Sequence, residues 1–417
     1  MKNAVVGIPS APVVEQKLVT DEKSTYRRTG IKGMLHRALP EAAYDRLRSA
    51  RMALDSSPVG AKLRLAQASA LDTVGGNGFL SGLYYAVGSR AYDREHRGTI
   101  AARARYLRDV FSHEGSIYVL RRNVHKLEKG LVMRPRRPLF GLGFLQETVQ
   151  SFDDCAMRYK NGQLKDADTV SWARQVLGVY FQALSAPHAL VDQCRAIYEG
   201  TLARLDQTDS VERIPFVRPD CDLPSYEAML QLALHRRSVR WFEQRPVPRE
   251  VLDKAVVVAG LSPSACNRQP FRFAIFDEPA LVQKIGAIPK GTPGWLHNIP
   301  CFIVIVGTLE AFDKEKDRHI PYVDGSLAAM SLCFALETQG VSTCCVNWPD
   351  IAQTEARMTE ALGLAPYERP IMCLAVGYPD KSAKVPYSQK LPLAQLRSYN
   401  AVPADVHTLP RTDVKPA

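Results

Sequence analysis

Residues His235–Phe273 read HRRSVRWFEQRPVPREVLDKAVVVAGLSPSACNRQPFRF, and this stretch decides how the rest of the chain is understood. Arg236, Arg237, Ser238 and Arg240 fall within five residues and make a compact anion cradle, because guanidinium forks bind phosphate oxygens bidentately. About 20 residues on, Ser262-Pro263-Ser264-Ala265-Cys266-Asn267-Arg268-Gln269-Pro270 forms a turn-rich loop. Its serine, asparagine and glutamine side chains can hydrogen-bond a planar heterocycle. A phosphate cradle followed by a heterocycle loop predicts a nucleotide-like cofactor. No glycine-rich phosphate loop is needed where arginines hold the phosphate.

Outward from this stretch, the chain alternates helical and strand patterns. A helix is expected over Tyr226–His235 and a second over Arg249–Ala259, opened by Val247-Pro248. Apolar, β-branched runs at Arg272–Phe276, Cys301–Val306, Ser342–Val346 and Ile371–Val376 read as strands, with helices between them. The expected class is α+β, with a mostly antiparallel or mixed sheet. Before residue 214 good strand patterns are absent. Helical spacing appears at Gly33–Asp55, Ile100–Val110, Ser116–Lys129, Leu145–Lys160, Asp168–Leu184 and Ala189–Leu205. The expected organisation is an unperiodic N-terminal arm over 1–25, a mainly helical basic domain over 26–213, a proline-bearing linker over 214–225, the cofactor domain over 226–402 and a tail over 403–417.

The quoted segment resembles the opening of the FMN-dependent nitroreductase family, in which an R-R-S-x-R stretch holds the flavin phosphate and a loop near A-P-S-A-C-N-x-Q-P-W lies against the isoalloxazine ring. Here Ser262 replaces the alanine and Phe271 the tryptophan. The resemblance continues through Tyr322-Val323-Asp324-Gly325-Ser326 and the helix and strand after it, through Ala361-Leu362-Gly363-Leu364 and IMCLAVGYP, to Lys390 in SQKLPL. It implies a mixed sheet flanked by helices, working as an intertwined homodimer with FMN at the subunit interface.

On that resemblance Arg236, Arg237, Ser238, Arg240 and Lys390 hold the phosphate, although one of the two cations usual beside Lys390 is missing. Asn267 and Gln269 reach the flavin pyrimidine edge, while Pro263, Ser264 and Ala265 line the ring. Lys290 is a candidate for the flavin carbonyl edge. The backbone at Asn347 and Trp348 offers an N–H to flavin N5, which favours negative charge there. NAD(P)H is then the transient donor in a ping-pong exchange with a small-molecule acceptor. Hydride chemistry belongs to the flavin, so no catalytic acid–base pair is expected. Asp324 reads as the N-cap of the central helix, Cys266 as a packing residue, and His297 as a structural histidine at a strand start.

A further motif, Arg122-Asn123-Val124-His125-Lys126-Leu127-Glu128-Lys129-Gly130-Leu131 with Arg137-Pro138-Leu139-Phe140-Gly141, resembles one in nitroreductase-like proteins of bacterial polysaccharide gene clusters and implies a link to polysaccharide biosynthesis. His125, Glu128 and Lys129 lie within one helical turn. They read either as a polar network with Gly130 as C-cap or as a ligand site.

Residues 1–220 carry 33 Lys and Arg against 23 Asp and Glu, and residues 221–417 carry 21 against 20, so the basic excess belongs to the first half. Its densest part, Arg121–Pro138, is a candidate surface for an anionic glycan, a lipid-linked sugar or a membrane face, and the basis of an alternative function as a flavin-scaffold assembly protein. Nucleic acid is disfavoured, since no helix-turn-helix or aromatic-interleaved pattern accompanies the charge. The division implies that residues 1–220 meet the acceptor or partner while the chain from about Pro224 onward suffices for flavin reduction. Nine cysteines without C-x-x-C spacing suit reduced thiols rather than disulfides or a metal site. No secretory signal or run of ~18 apolar residues appears, and a cytoplasmic location is expected.

Overall fold

A computed structural model of the chain describes residues 57–89, 91–111, 116–205 and 211–400, together with positions 43, 46, 49 and 50. The expected arm over 1–25, most of the helical pattern at Gly33–Asp55 and the tail from 403 lie outside the described residues. The chain divides into two compact units, Met1–Ala91 and Tyr92–Ala417. In the first, α1 (Pro58–Gly75) and α2 (Gly78–Leu83) are started by side-chain caps: Ser57 accepts from the Gly60 N–H, and Asn77 from those of Phe79 and Leu80.

The second unit holds both the remaining helices and the sheet. Its first part is a bundle of α3 (Asp93–Phe111), α4 (Ile117–Leu131), α5 (Leu142–Lys160), α6 (Ala167–Ala183) and α7 (Ala189–Arg204). The expected helical spacings fall on these elements. On α4, Leu120, Val124 and Leu127 recur at i, i+4 and i+7 and pack with Leu145, Val149, Phe152, Leu177 and Tyr180 in a closed core. Gly130 does not cap α4; the helix runs on to Leu131, and Gly130 faces the Phe140 ring. A Cβ there would lie 2.2 Å from that ring, which stands edge-on to Tyr180 at a centroid distance of 5.1 Å. Gly130→Ala is therefore expected to lower stability by about 1–2 kcal/mol in denaturant unfolding, because overpacking outweighs the gain in helix propensity.

The second part begins with α8 (Tyr226–His235) and α9 (Arg249–Gly260), preceded by an irregular stretch over 214–225. A four-stranded antiparallel sheet follows, built from β1 (Phe271–Phe276), β2 (Cys301–Thr308), β3 (Ser342–Val346) and β4 (Glu368–Gly377) in the order β1-β2-β4-β3. Every residue of β2 is buried, which accounts for its unbroken apolar run. Phe302, Val304 and Val306 point to one face, packed with α10 (Pro279–Gly286) and α12 (Ala352–Leu362); Cys301, Ile303 and Ile305 point to the other, covered by α9 and α11 (Ile320–Glu337). Gly325 lets α11 approach the sheet, since a Cβ there would lie 2.5 Å from Ile371 Cδ1.

Candidate functional site

The arginine segment is built onto the β3 edge. Ser238 makes a bridge to Thr343, and the Val239 N–H donates to the Thr343 carbonyl at 3.1 Å. At its start, His235 Nδ1 lies 2.8 Å from Glu337 Oε1, which also accepts from Ser342 Oγ at 3.2 Å. At its end, Asn298 accepts from the Phe242 N–H at 2.8 Å and donates to the Arg240 carbonyl at 3.0 Å. Asn298 is a positioning residue that sequence reasoning missed. Its neighbour His297 sits in a 3-10 turn (Leu296–Asn298) rather than at the strand start, edge-on to Trp241.

Of the five predicted phosphate ligands, three cations remain open to an anion, Arg237 is partly used, and the Ser238 hydroxyl lies against the Cys344 thiol. Arg237 donates to the carbonyls of Pro386 (2.6 Å) and Tyr387, which ties the segment bearing Lys390 to the cradle. Arg236, Arg240 and Lys390 have no carboxylate partner among the described residues. Cations without an internal counter-ion beside the Ser238 hydroxyl are a donor set that fits a phosphate dianion. The Lys290 loop joins this edge: Gly291 lies against Val346, one residue before Asn347. Trp348 is fixed by its indole N–H, which donates to Glu355 Oε1 at 2.8 Å. Glu355 is 1% exposed and is held between Arg94 of α3 and Arg369, with Arg369 also donating to Asp350 at 2.7 Å. Burial first, and then Arg369, lower the Arg94 guanidinium to about 10, so it stays charged at neutral pH. This ion network under Asn347 and Trp348 left no signal in the sequence, because Arg94 comes from a distant helix and the spacings among Trp348, Asp350, Glu355 and Arg369 belong to no single element.

The heterocycle loop is at the opposite edge, leading into β1. Asp324 is not an N-cap. It lies inside α11, 3% exposed, and accepts from Ser264 Oγ (2.7 Å) and the Ala265 N–H (3.0 Å). Burial pushes its carboxyl above the usual range, and these hydrogen bonds oppose the shift. Ser264 therefore serves the loop itself, and its hydroxyl also accepts from the Gln269 N–H at 2.7 Å. Gln269 Nε2 donates to Asn267 Oδ1 at 3.0 Å, which pairs the two predicted ring contacts. Cys266, Asn267 and Gln269 all adopt positive φ, at 54°, 52° and 53°. A loop held in a region that L-residues avoid must be over-determined by its surroundings, and here Asp324 does much of that.

Within one protomer the two halves do not meet. β1 and β3 are three strand spacings apart, roughly 14 Å. The register places Thr343 level with Cys301 through Val376, and Phe271 level with Gly307, which is roughly 20 Å along the strands. The separation exceeds the span of one flavin mononucleotide.

The helical part packs against the loop. α4 packs on the turn Ala265–Asn267, and Arg121 Nη1 donates to the Arg268 carbonyl at 3.2 Å. α3 meets the sheet part through Arg94–Glu355 and through Glu95 with Arg318 at 3.2 Å. In the polar motif, Glu128 accepts from the Trp172 indole at 2.8 Å and lies 3.4 Å from His125 Nδ1, while Lys129 is exposed. These are structural contacts within the bundle. Arg134, Arg136 and Arg137 are exposed in the turn before α5, whereas Arg121 and Arg122 pair with Asp166 and Glu147. No group of three or more His, Cys, Asp or Glu suited to a metal occurs among the described residues, and none of their helices is long and apolar enough to cross a membrane.

Residues 233–293 and 286–378 match the nitroreductase family model. Iodotyrosine deiodinase 1 of Pongo abelii and of Homo sapiens are each 27% identical to the chain over 223 residues, covering 46% of it and 76% of the relative. Among solved structures, an FMN-dependent nitroreductase from Clostridium difficile R20291 is 23% identical, covers 42% of this chain and 100% of its own, and superposes with a TM-score of 0.37. The C-terminal half thus carries a nitroreductase-family domain. The family match and the deiodinase relatives support an enzyme of the flavin-dependent nitroreductase superfamily.

Proposed function

We propose that the protein is an FMN-dependent oxidoreductase working as a homodimer, with each flavin held between the arginine segment of one protomer and the Ser262–Pro270 loop of a second copy. The observation that carries this reading is the placement of the two half-sites at opposite edges and opposite ends of one sheet, which leaves each incomplete without the other protomer. An apolar surface accompanies it. Val323, Leu327 and Met330 are exposed on α11 at i, i+4 and i+7, and Tyr226, Met229, Leu230 and Leu234 are exposed on α8. Stripes of this kind are normally covered in a stable assembly.

In such a site Arg236, Arg240, Ser238 and Lys390 neutralise and orient the phosphate. Asn267 and Gln269 present amide groups to the pyrimidine edge, Pro263 and Ala265 pack the ring, and Lys290 comes from the loop whose Gly291 lies against Val346. Backbone N–H groups at Asn347 and Trp348, held rigid by Glu355, favour the charge that builds up near N5. The bound flavin supplies hydride transfer, with NAD(P)H as donor and a small organic molecule as acceptor.

The deciding experiment is the absorption spectrum of the purified full-length protein. A flavin spectrum with one FMN per protomer is expected, bleached anaerobically by NADH or NADPH. Colour should return with an acceptor from a panel that includes a nitroaromatic and, given the relatives' name, iodotyrosine. Colourless protein that does not take up added FMN would overturn this reading. It would favour an assembly role, in which the exposed Arg134, Arg136 and Arg137 engage an anionic glycan or membrane surface, including one met in polysaccharide biosynthesis.

A further inference from the structure

Two cations beside the flavin loop form no ion pair among the described residues. Lys126, on α4, is half-buried with its ammonium 4.8 Å from the centre of the Phe144 ring. Arg268, inside the loop, is 7% exposed with its guanidinium 4.7 Å from the centre of the Phe312 ring. Neither has a carboxylate partner or a side-chain hydrogen bond among the described residues.

Of the neighbouring acids, Asp324 is held by the loop, Asp317 acts on Arg268 only through its field, and the two beside Lys126 are already committed. Glu147 accepts from Arg122 at 2.6 Å and from Asn123 at 2.7 Å, and Glu128 is taken by Trp172 and His125. Burial, then Arg122, and among further groups Arg268 hold the Lys126 ammonium below the usual lysine range. Burial comes first for Arg268 as well, and its pKa too is lowered; of its charged neighbours, Cys266 and Asp317 favour the cation and Arg122 opposes it. Cys266, at the tip of the loop, thus lies in the field of both cations.

An aromatic face compensates a desolvated cation only in part, and a like charge nearby makes the deficit larger. An anion entering here would meet two positive groups held by packing rather than by competing carboxylates. The Arg121 bond to the Arg268 carbonyl and the packing of α4 on the loop tie the two elements that carry these cations. A planar carboxylate can present one oxygen to the guanidinium and one to the ammonium.

We propose that Lys126 and Arg268 form an anion subsite beside the flavin ring that recognises the carboxylate of a small organic acceptor, so that the helical part of the chain selects the substrate. This rests on the flavin reading above. Because Lys126 lies on α4, it also gives the bundle a role at the site itself rather than at a distant surface.

The test uses full-length, flavin-loaded protein, with FMN occupancy measured by absorbance, and calorimetric titration with benzoate and with benzyl alcohol. Benzoate is expected to bind at least about tenfold more tightly than the alcohol, as for one hydrogen bond to a charged group. Lys126→Met should abolish that preference and Lys126→Arg should restore most of it. With 4-nitrobenzoate and 4-nitrobenzyl alcohol as acceptors, KM for the acid alone should rise in Lys126→Met, with kcat little changed. Lys126→Gln makes the same measurement if the methionine variant does not fold. Equal benzoate affinity in wild type and in the neutral variants, at full flavin occupancy, overturns the subsite alone. Wild-type protein that holds no FMN overturns the flavin reading and the subsite with it.

Discussion

Alanine at both Arg236 and Arg240 is expected to strip FMN from the protein while leaving it folded. Each guanidinium offers charge-assisted hydrogen bonds worth roughly 1.5–3 kcal/mol, so loss of both should lower flavin affinity by roughly a hundredfold to ten-thousandfold. The fold should survive because neither side chain has an internal carboxylate to leave unpaired. Asn298 and the bridge of Ser238 to Thr343 hold the backbone of the segment independently of the two side chains. Co-purifying flavin and thermal unfolding, measured on the same sample, read the two halves of the expectation. A double variant with stoichiometric FMN would show that the phosphate lies elsewhere.

Glu355→Ala should have the opposite profile, a large loss of stability whether or not flavin is present. Its carboxylate holds Arg94, Arg369 and the Trp348 indole in a buried setting. Removal leaves Arg94 and Arg369 with only the half-exposed Asp350 between them, a change that costs about 3 kcal/mol. Denaturant unfolding of the apoprotein measures this directly. Glu355→Gln should lose less, since its amide oxygen can still accept from Trp348. Because Arg94 belongs to α3, the same variant should also loosen the helical part from the sheet part. A protease ladder beginning before residue 224 would report that. An alanine variant as stable as wild type would mean that the network is hydrated and contributes little.

Local pattern made most of the elements legible. The strand runs were visible because β2 and the Ile371–Val376 part of β4 are nearly all apolar, and the bundle helices because one stripe of each is buried, as on α4 at Leu120, Val124 and Leu127. The arginine segment and the loop could be recognised because each is a contiguous set of residues whose chemistry is local. Asp324 was misread for the same reason. As a short acid near the start of a helix it looks like a cap, but only the packing of α11 under the loop shows which backbone N–H it serves. The same limit hid Asn298, whose partners Arg240 and Phe242 are nearly sixty residues away.

Taken alone, the sequence determined the order and type of the elements, the arginine segment and the polar loop, since these follow from neighbours along the chain. Tertiary structure decided three things that depend on contacts between distant segments. It put cradle and loop at opposite edges of one sheet, so that a site joining them needs two protomers. It seated α4 on the loop, although every recognised cofactor motif lies after residue 234. It also left Lys126 and Arg268 without an ion-pair contact, which follows from where Glu147, Glu128 and Asp324 spend their hydrogen bonds. Pairing and burial are set by what the fold brings together, and no spacing in the chain encodes them.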